Sequence, residues 1–335
     1  MMQSAVSESV HGGPDAQGVP LHDFSTNANA CGSCDRALEA LRRADAARYP
    51  DPHYTRLRAL LGAFHRVDAD RIVIAASASE FMQRISAFAA RKGFLHARVP
   101  LHGYGDYARA AQVWGLRLED GAAPALHWAC EPSSPLGTRD ASVDEWLRST
   151  TSTDLRVLDC AYVPLCLHAA SASRLPESAW QLWTPNKALA LTGVRAAYAI
   201  APEHAESADL ELLRSMAASW PVGAHGVAML ESWVQPDVQL WLARSLATLK
   251  SWKQAQIGVC TALGWQVIDG SLANYFTARL PDDCDAADAL RTLRSHGIKL
   301  RDCASFGLAQ HVRLGVLSPP SQAALKEVWI QGVAT

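Results

Sequence analysis

Lysine is scarce in this chain, and a long apolar run is missing altogether. Only six lysines stand among its 335 residues, so chemistry that needs a primary amine has few places to sit. No apolar stretch reaches the roughly 18 residues needed to cross a bilayer, which argues against a membrane partner. Residues 1–10 lack the basic and apolar regions of a secretory signal, so a cytoplasmic protein is expected. An excess of one charge sign is missing too: 31 Lys and Arg stand against 33 Asp and Glu, a formal net charge of −2. That balance leaves no basic stripe for nucleic acid and no acidic tail. Eight cysteines include one C-x-x-C, Cys31 to Cys34. No second such pair and no H-x-H completes a zinc site, so no metal is expected and the thiols read as ordinary reduced ones.

What is present is the composition of a folded protein, 49% apolar and 19% charged. Single cores stop growing near 250–300 residues, so two lobes are expected. Between about 70 and 200, apolar runs at 71–75, 95–99, 125–129, 155–159, 181–184 and 196–201 alternate with helical spacing at 80–90, 105–114 and 142–149. That alternation is the mark of an α/β layer on a largely parallel sheet. A long helical region follows from about 226 to 262, interrupted near Pro236, with Val238, Leu242, Leu246 and Leu249 at three-to-four spacing. The last seventy residues read as strand 275–280, helix 285–295, strands 298–301 and 312–315, and a closing helix, an α+β lobe. Residues before about 45 are rich in small and polar types and read as an arm crossing between the lobes.

Ligands of open α/β sheets bind beyond the carboxyl ends of strands, so polar residues directly after these apolar runs carry the chemistry. Four places stand out. In Trp183-Thr184-Pro185-Asn186-Lys187, a strand-end lysine can lose part of its solvation, which frees the neutral amine to attack a carbonyl; a solvated surface lysine is the plain alternative. The other five lysines lie in helical or polar stretches or, for Lys299, on a late strand. Asp159 ends the run 155–159, with Tyr162 three residues on. A buried aspartate needs a cationic or protonated partner; otherwise it caps a helix. Small residues from Ala75 to Ser79 let backbone N–H groups at a helix start approach a phosphate. Glu131-Pro132-Ser133-Ser134-Pro135-Leu136-Gly137 is a rigid, proline-punctuated turn.

In this order the four places resemble fold type I pyridoxal-phosphate (PLP) enzymes of aminotransferase class I/II, in the branch that includes histidinol-phosphate aminotransferase. There the lysine stands in S-x-x-K-x-x-G-L-x-G-x-R. Here Thr184, Lys187, Leu191, Gly193 and Arg195 keep register, and Ala190 replaces the first glycine. Asp159, Ala161 and Tyr162 reproduce an Asp-x-Ala-Tyr motif, and the match extends from about Phe24 to Leu317. The resemblance implies a large PLP-binding domain, 46–250, around a mostly parallel sheet of the seven-stranded type. It also implies a smaller α+β domain, 251–335, joined by the N-terminal arm 1–45.

The same resemblance implies residue roles. Lys187 would carry PLP as a Schiff base and shuttle protons, Asp159 would pair with the ring nitrogen, and Tyr162 would hydrogen-bond O3′. The amides of Ala78 and Ser79, the Thr184 hydroxyl and Arg195 would hold the cofactor phosphate. Tyr104 would stack on the ring, and Arg313 would bind a substrate α-carboxylate. Tyr49 would reach the phosphate of the neighbouring subunit, so a homodimer is implied. The family loop N-P-N-N-P-x-G is altered: Glu131, Ser133 and Ser134 replace its asparagines, and Ser134 stands where an asparagine meets O3′.

His11-Gly12-Gly13 followed by Asp23-Phe24-Ser25-Thr26-Asn27 resembles the opening of the cobalamin-pathway threonine-phosphate decarboxylases. That makes His11, Thr26 and Asn27 candidates for contacting an amino-acid phosphate. The leading expectation is therefore decarboxylation of L-threonine O-3-phosphate to (R)-1-amino-2-propanol phosphate. An aminotransferase of the histidinol-phosphate type is the alternative. The altered loop also leaves room for a catalytically weak binding or scaffolding subunit on the PLP fold.

Overall fold

Apolar runs buried on both faces build the centre of the protein. The computed structural model describes residues 11–149, 152–168 and 174–333; the stretch read above for a secretory signal lies outside them. Seven strands form one sheet in the order Ile72–Ala75, Ala197–Ile200, Trp180–Trp183, Leu155–Asp159, Ala125–Cys130, His96–Arg98, Arg117–Leu118. All are mutually parallel except Ala197–Ile200, which runs against both its neighbours. The period of two is visible in the packing. Ile72, Ile74, Leu158, Tyr198 and Ile200 join the core on one face, whereas Val73, Ala75, Val157, Ala197 and Ala199 join the core on the other. Strands covered on both faces have no polar side to show, which is why they read as continuous apolar runs.

The connections follow from capping chemistry. Ser77 caps helix Ala78–Arg91, accepting from the Glu80 amide, and Glu80 in turn accepts from the Ala76 amide. This is a close relative of the capping box. The expected break near Pro236 is real: helix Ala224–Trp233 ends, and Pro236–Ala262 begins with the proline in its first turn, where its missing N–H costs nothing. That 27-residue helix packs Leu242 and Leu249 on the first core and Cys260 on a third. Residue 250 lies inside it.

The third core belongs to a four-stranded sheet in the order Arg301–Asp302, His311–Gly315, Tyr275–Arg279, Gln266–Val267, backed by helices Ala286–Ser295 and Pro319–Gly332. The N-terminal arm is woven into it. His22–Asp23 pairs in parallel with Ile298–Lys299, and Phe24 is fully buried beside Phe276 and Leu314.

Several elements differ from the sequence reading. Helices Asp35–Arg42, Thr55–His65 and Ser207–Ser215 have no counterpart in it. Asp35–Arg42 fully buries only Ala37, its apolar stripe is limited to Ala37, Leu38 and Leu41, and it has no side-chain cap to announce its start. The run 298–301 is two short strands in two sheets. Among the described residues no helix is long and apolar enough to cross a membrane, and no His, Cys, Asp and Glu cluster could hold a metal ion.

His65 is half-buried beside Trp183, with its Nε2 2.7 Å from the Tyr198 hydroxyl, and its partial desolvation lowers its pKa from 6.5 to about 4. The folded state therefore keeps it neutral, and its contribution is whole above pH 6.5 and lost as pH falls through 4. Between pH 7 and pH 5 the parent should lose about 2 kcal/mol more than His65→Gln in urea titrations; equal slopes would refute this. Ala190, in the turn after Lys187, has φ 53°, a left-handed conformation that strains a side chain. Ala190→Gly should raise unfolding stability by about 0.5 kcal/mol, the relieved strain exceeding the added freedom of the unfolded chain.

Candidate active site

The carboxyl ends of the parallel strands and the inner face of the small sheet enclose a cleft of about 510 Å³. Lys187, Asp159, Tyr162, Thr184, Arg195, Ala78, Ser79, Tyr104, Ser134, Arg313, His11, Thr26 and Asn27 all line it. Residues from eight separate stretches of sequence therefore meet here. Tyr49 does not join them: it is 77% exposed and stacks on Trp220 with ring centroids 4.4 Å apart.

The floor is Asp159, at the tip of strand Leu155–Asp159. Its Oδ1 accepts from the Ala161 amide at 2.9 Å, and its Oδ2 accepts from the Tyr107 hydroxyl at 2.7 Å. Burial raises its pKa, while the Tyr107 hydrogen bond, the Ala161 amide and the charge of Lys187 oppose that rise. Lys187 is half-buried, with its Nζ 5.3 Å from the centre of the Tyr162 ring. Its backbone is held from the arm, since the Asn29 amide donates to its carbonyl at 2.9 Å. The Tyr162 hydroxyl accepts from Asn27 Nδ2 at 3.3 Å.

One wall is the start of helix Ala78–Arg91, whose first-turn amides have no intrahelical acceptor. Thr184 Oγ1 and Asn186 Oδ1 are buried nearby on the cleft lining without a hydrogen-bond partner among the described residues, as is Asn27 Oδ1. Buried polar atoms are seldom left unpaired, so these three mark where a ligand's polar groups belong. Arg195 stands exposed at the rim.

The opposite wall carries two arginines that face each other across the small sheet, Arg301 paired in register with Arg313. Arg313 is buried and donates to Ser134 Oγ at 3.0 Å and to the Ser25 carbonyl at 2.9 Å, with Nε unpaired. Arg301 donates to Ser305 Oγ at 2.7 Å and lies 4.6 Å over the Phe306 ring. Burial, then the charge of Arg313, lowers the pKa of Arg301. Like charges placed opposite one another in a ladder repel, so this wall is built to receive an anion.

The rim is closed by a strap, residues 11–18. Asp15 binds Arg294 at 2.7 Å and Lys299 at 2.9 Å, which holds its carboxyl well below the usual range. Both glycines of His11-Gly12-Gly13 are required by geometry. A Cβ on Gly12 would fall 2.3 Å from the Ser25 carbonyl oxygen, and Gly13 has φ +92°. His11 Nδ1 then lies 3.3 Å from the Tyr104 hydroxyl across the mouth. Thr26 also lines the cleft, but its hydroxyl donates to Asp23 Oδ2 at 2.7 Å.

The donor set fits pyridoxal phosphate. A helix start, the unpaired Thr184 hydroxyl and Arg195 suit a phosphate. A buried carboxylate with no salt-bridged cation among the described residues suits a protonated ring nitrogen, and Lys187 supplies the amine. Of the altered loop positions only Ser134 lines the cleft. Glu131 turns away, accepting from the Asp140 amide at 3.0 Å and from Arg139 at 3.3 Å, and Ser133 bonds Thr138.

Sequence reading missed Arg301, Tyr107, Asn186 and Phe306, which also line the cleft. Arg301 left a usable signal, since an antiparallel hairpin centred near 307 places it beside Arg313. Tyr107 left only its helical spacing three residues from Tyr104.

Comparison with known proteins agrees with this geometry. Residues 117–329 match the aminotransferase class I and II family. Histidinol-phosphate aminotransferase 1 of Thiobacillus denitrificans is 30% identical over 321 residues, covering 88% of this chain and 80% of that protein. A solved histidinol-phosphate aminotransferase from Sinorhizobium meliloti, in complex with pyridoxal-5′-phosphate, superposes with a TM-score of 0.79 at 20% identity, over 97% of this chain and 95% of its own. L-threonine-O-3-phosphate decarboxylase from Porphyromonas gingivalis superposes with a TM-score of 0.73 at 20% identity, over 92% and 98%. At that identity the two solved structures speak to the fold, which is that of the fold type I enzymes. On the strength of the family match and the Thiobacillus relative, this chain is a member of the aminotransferase class I and II family.

Proposed function

We propose that the protein is a PLP-dependent aminotransferase that moves an amino group between a phosphorylated amine of the histidinol-phosphate kind and a dicarboxylic keto acid such as 2-oxoglutarate. The observation that carries this reading is the register pair Arg301 and Arg313 on one wall of a cleft whose opposite wall holds Lys187. Amino transfer needs one site to accept two different substrates in turn. A phosphate on one and a distal carboxylate on the other are both anions, and a guanidinium pair serves either. Transfer takes precedence over the decarboxylation expected from the N-terminal arm because the sequence relative at 30% identity carries the aminotransferase name, whereas the decarboxylase shares the fold.

When bound, the cofactor supplies an electron sink for the pair released as a bond at the substrate Cα breaks. The chain's own residues do the rest. Asp159 holds a proton at the ring nitrogen, and the Lys187 amine takes the proton from Cα and returns it elsewhere. Tyr162, held by Asn27, donates beside the ring. Ala78, Ser79, Thr184 and Arg195 fix the phosphate, and Tyr104 lies against the ring. Arg313, braced by Ser134 and the Ser25 carbonyl, sets which Cα bond stands over the ring plane. The strap carrying His11 shields the reacting carbon from water. A homodimer belongs to this reading, with the exposed Tyr49 serving the neighbouring cleft.

A second reading, decarboxylation of threonine phosphate, is favoured by the strap, whose two glycines bring His11 to the substrate side. The two are separated by incubating the PLP-loaded protein with histidinol phosphate and 2-oxoglutarate, and separately with threonine phosphate. Glutamate formation is expected; CO₂ from threonine phosphate with no amino transfer would reverse the order.

Three variants test the machinery. Lys187→Ala should abolish the visible band of the lysine-bound cofactor and cut transfer by about 10²–10⁴-fold; a retained band would contradict the assignment of the amine. Arg301→Met and Arg313→Met should each lower kcat/KM for anionic substrates by about 10–100-fold with the band intact. Unchanged kinetics in both would remove the guanidinium pair from substrate binding.

A further inference from the structure

Tyr107 belongs to none of the motifs that identify the site, yet it touches the residue at its floor. Helix Gly105–Val113 begins after Tyr104, so Tyr107 falls on the inward side of the first turn and is fully buried. Its hydroxyl donates to Asp159 Oδ2 at 2.7 Å. Its ring stacks on Trp128, centroids 4.7 Å apart and 14° from parallel, and meets Tyr104 edge-on at 5.8 Å. Clamped between two aromatic rings, the phenol has no room to swing off the carboxylate. Burial pushes its own pKa well above the usual value, so it stays a donor at every working pH.

The surroundings of Asp159 make that donor matter. The titratable groups facing it are Lys187, Tyr107, Tyr275 and the thiols of Cys130 and Cys160. Of these, Lys187 alone is a cation, and it is the residue the cofactor occupies. Desolvation pushes Asp159 toward its neutral form, and hydrogen bonds to the carboxylate favour the charged one. Only two such bonds exist among the described residues, one from the Ala161 amide and one from Tyr107.

We propose that Tyr107 is a positioning residue that keeps Asp159 ionised and thereby keeps the proton on the ring nitrogen of the bound cofactor. This rests on the PLP reading above. Without the phenol hydrogen bond the carboxylate becomes the better base and draws the proton to itself, and the ring becomes a poorer electron sink. The same helical turn supplies Tyr104 against the ring face, so ring stacking and ring protonation are set by one rigid element.

Tyr107→Phe removes a single oxygen and keeps both ring contacts. Apoprotein reconstituted with PLP should bind it about tenfold more weakly than the parent. The midpoint of the pH titration of the visible band should rise by about one unit, because a less positive ring no longer disfavours protonation of the lysine linkage. In an Asp159→Asn background the same substitution should change neither quantity. Parental affinity and midpoint in Tyr107→Phe, or equal losses in the Asp159→Asn background, would overturn the proposal. Failure of the parent itself to bind PLP would instead overturn the cofactor reading, so the two failures are distinct.

Discussion

A carboxylate at the end of a central strand, buried and salt-bridged to no cation among the described residues, is the constraint around which this cleft is arranged. Asp159 sits between strands Ala125–Cys130 and Trp180–Trp183, paired in register with Cys130 on one side and Leu182 on the other. An ion so placed is costly unless hydrogen bonds and a proton-bearing partner compensate. The protein supplies two donors and leaves the remaining face open toward the cleft. A ligand with a protonatable ring nitrogen completes the arrangement, and so the cofactor is as much a part of the fold's electrostatics as of its chemistry.

The second constraint is the opposing pair of guanidiniums. Arg301 and Arg313 stand opposite each other because the strands Arg301–Asp302 and His311–Gly315 pair antiparallel, and the backbone cannot separate them without changing register. The small lobe thus holds concentrated positive charge facing the Lys187 wall, and an anion bound there would relieve the repulsion. The strap adds to the same wall. Asp15 ion-pairs with Arg294 and Lys299 at the back, offsetting one of those two charges, and leaves both arginines at the front for a ligand.

Much of this was legible in the sequence, for identifiable reasons. Strand Leu155–Asp159 was legible to the residue because a run buried on both faces ends abruptly in a charge. The helix break at Pro236 was legible because proline is tolerated in a first turn and not beyond it. Helix Asp35–Arg42 was not, since it buries a single alanine and its partners lie far along the chain. Within the cleft, residues in contiguous motifs were found, whereas Arg301 and Tyr107 owe their roles to pairing across strands and to stacking on Trp128. Such contacts depend on tertiary placement, which spacing does not encode. Thr26 shows the converse: its motif is present, but its hydroxyl is already given to Asp23.

The loop from Glu131 to Gly137 decides how the departures from the family pattern weigh. Three replaced asparagines suggested a weakened site, and a scaffold was one reading of them. Glu131 instead ties the loop to Asp140 and Arg139; burial raises its pKa, and the Asp140 amide and the Arg139 charge oppose the rise. Ser133 closes the turn on Thr138. Both positions serve the loop's shape, with nothing directed at the cleft. Ser134 alone faces the ligand, and its hydroxyl is fixed by Arg313. On the reading proposed above, the shorter side chain gives its contact to Arg313 and leaves one fewer for the cofactor. On that reading the substitution moves rigidity from the ring to the proposed substrate clamp, and the cleft keeps its amine at Lys187, its carboxylate at Asp159 and both arginines.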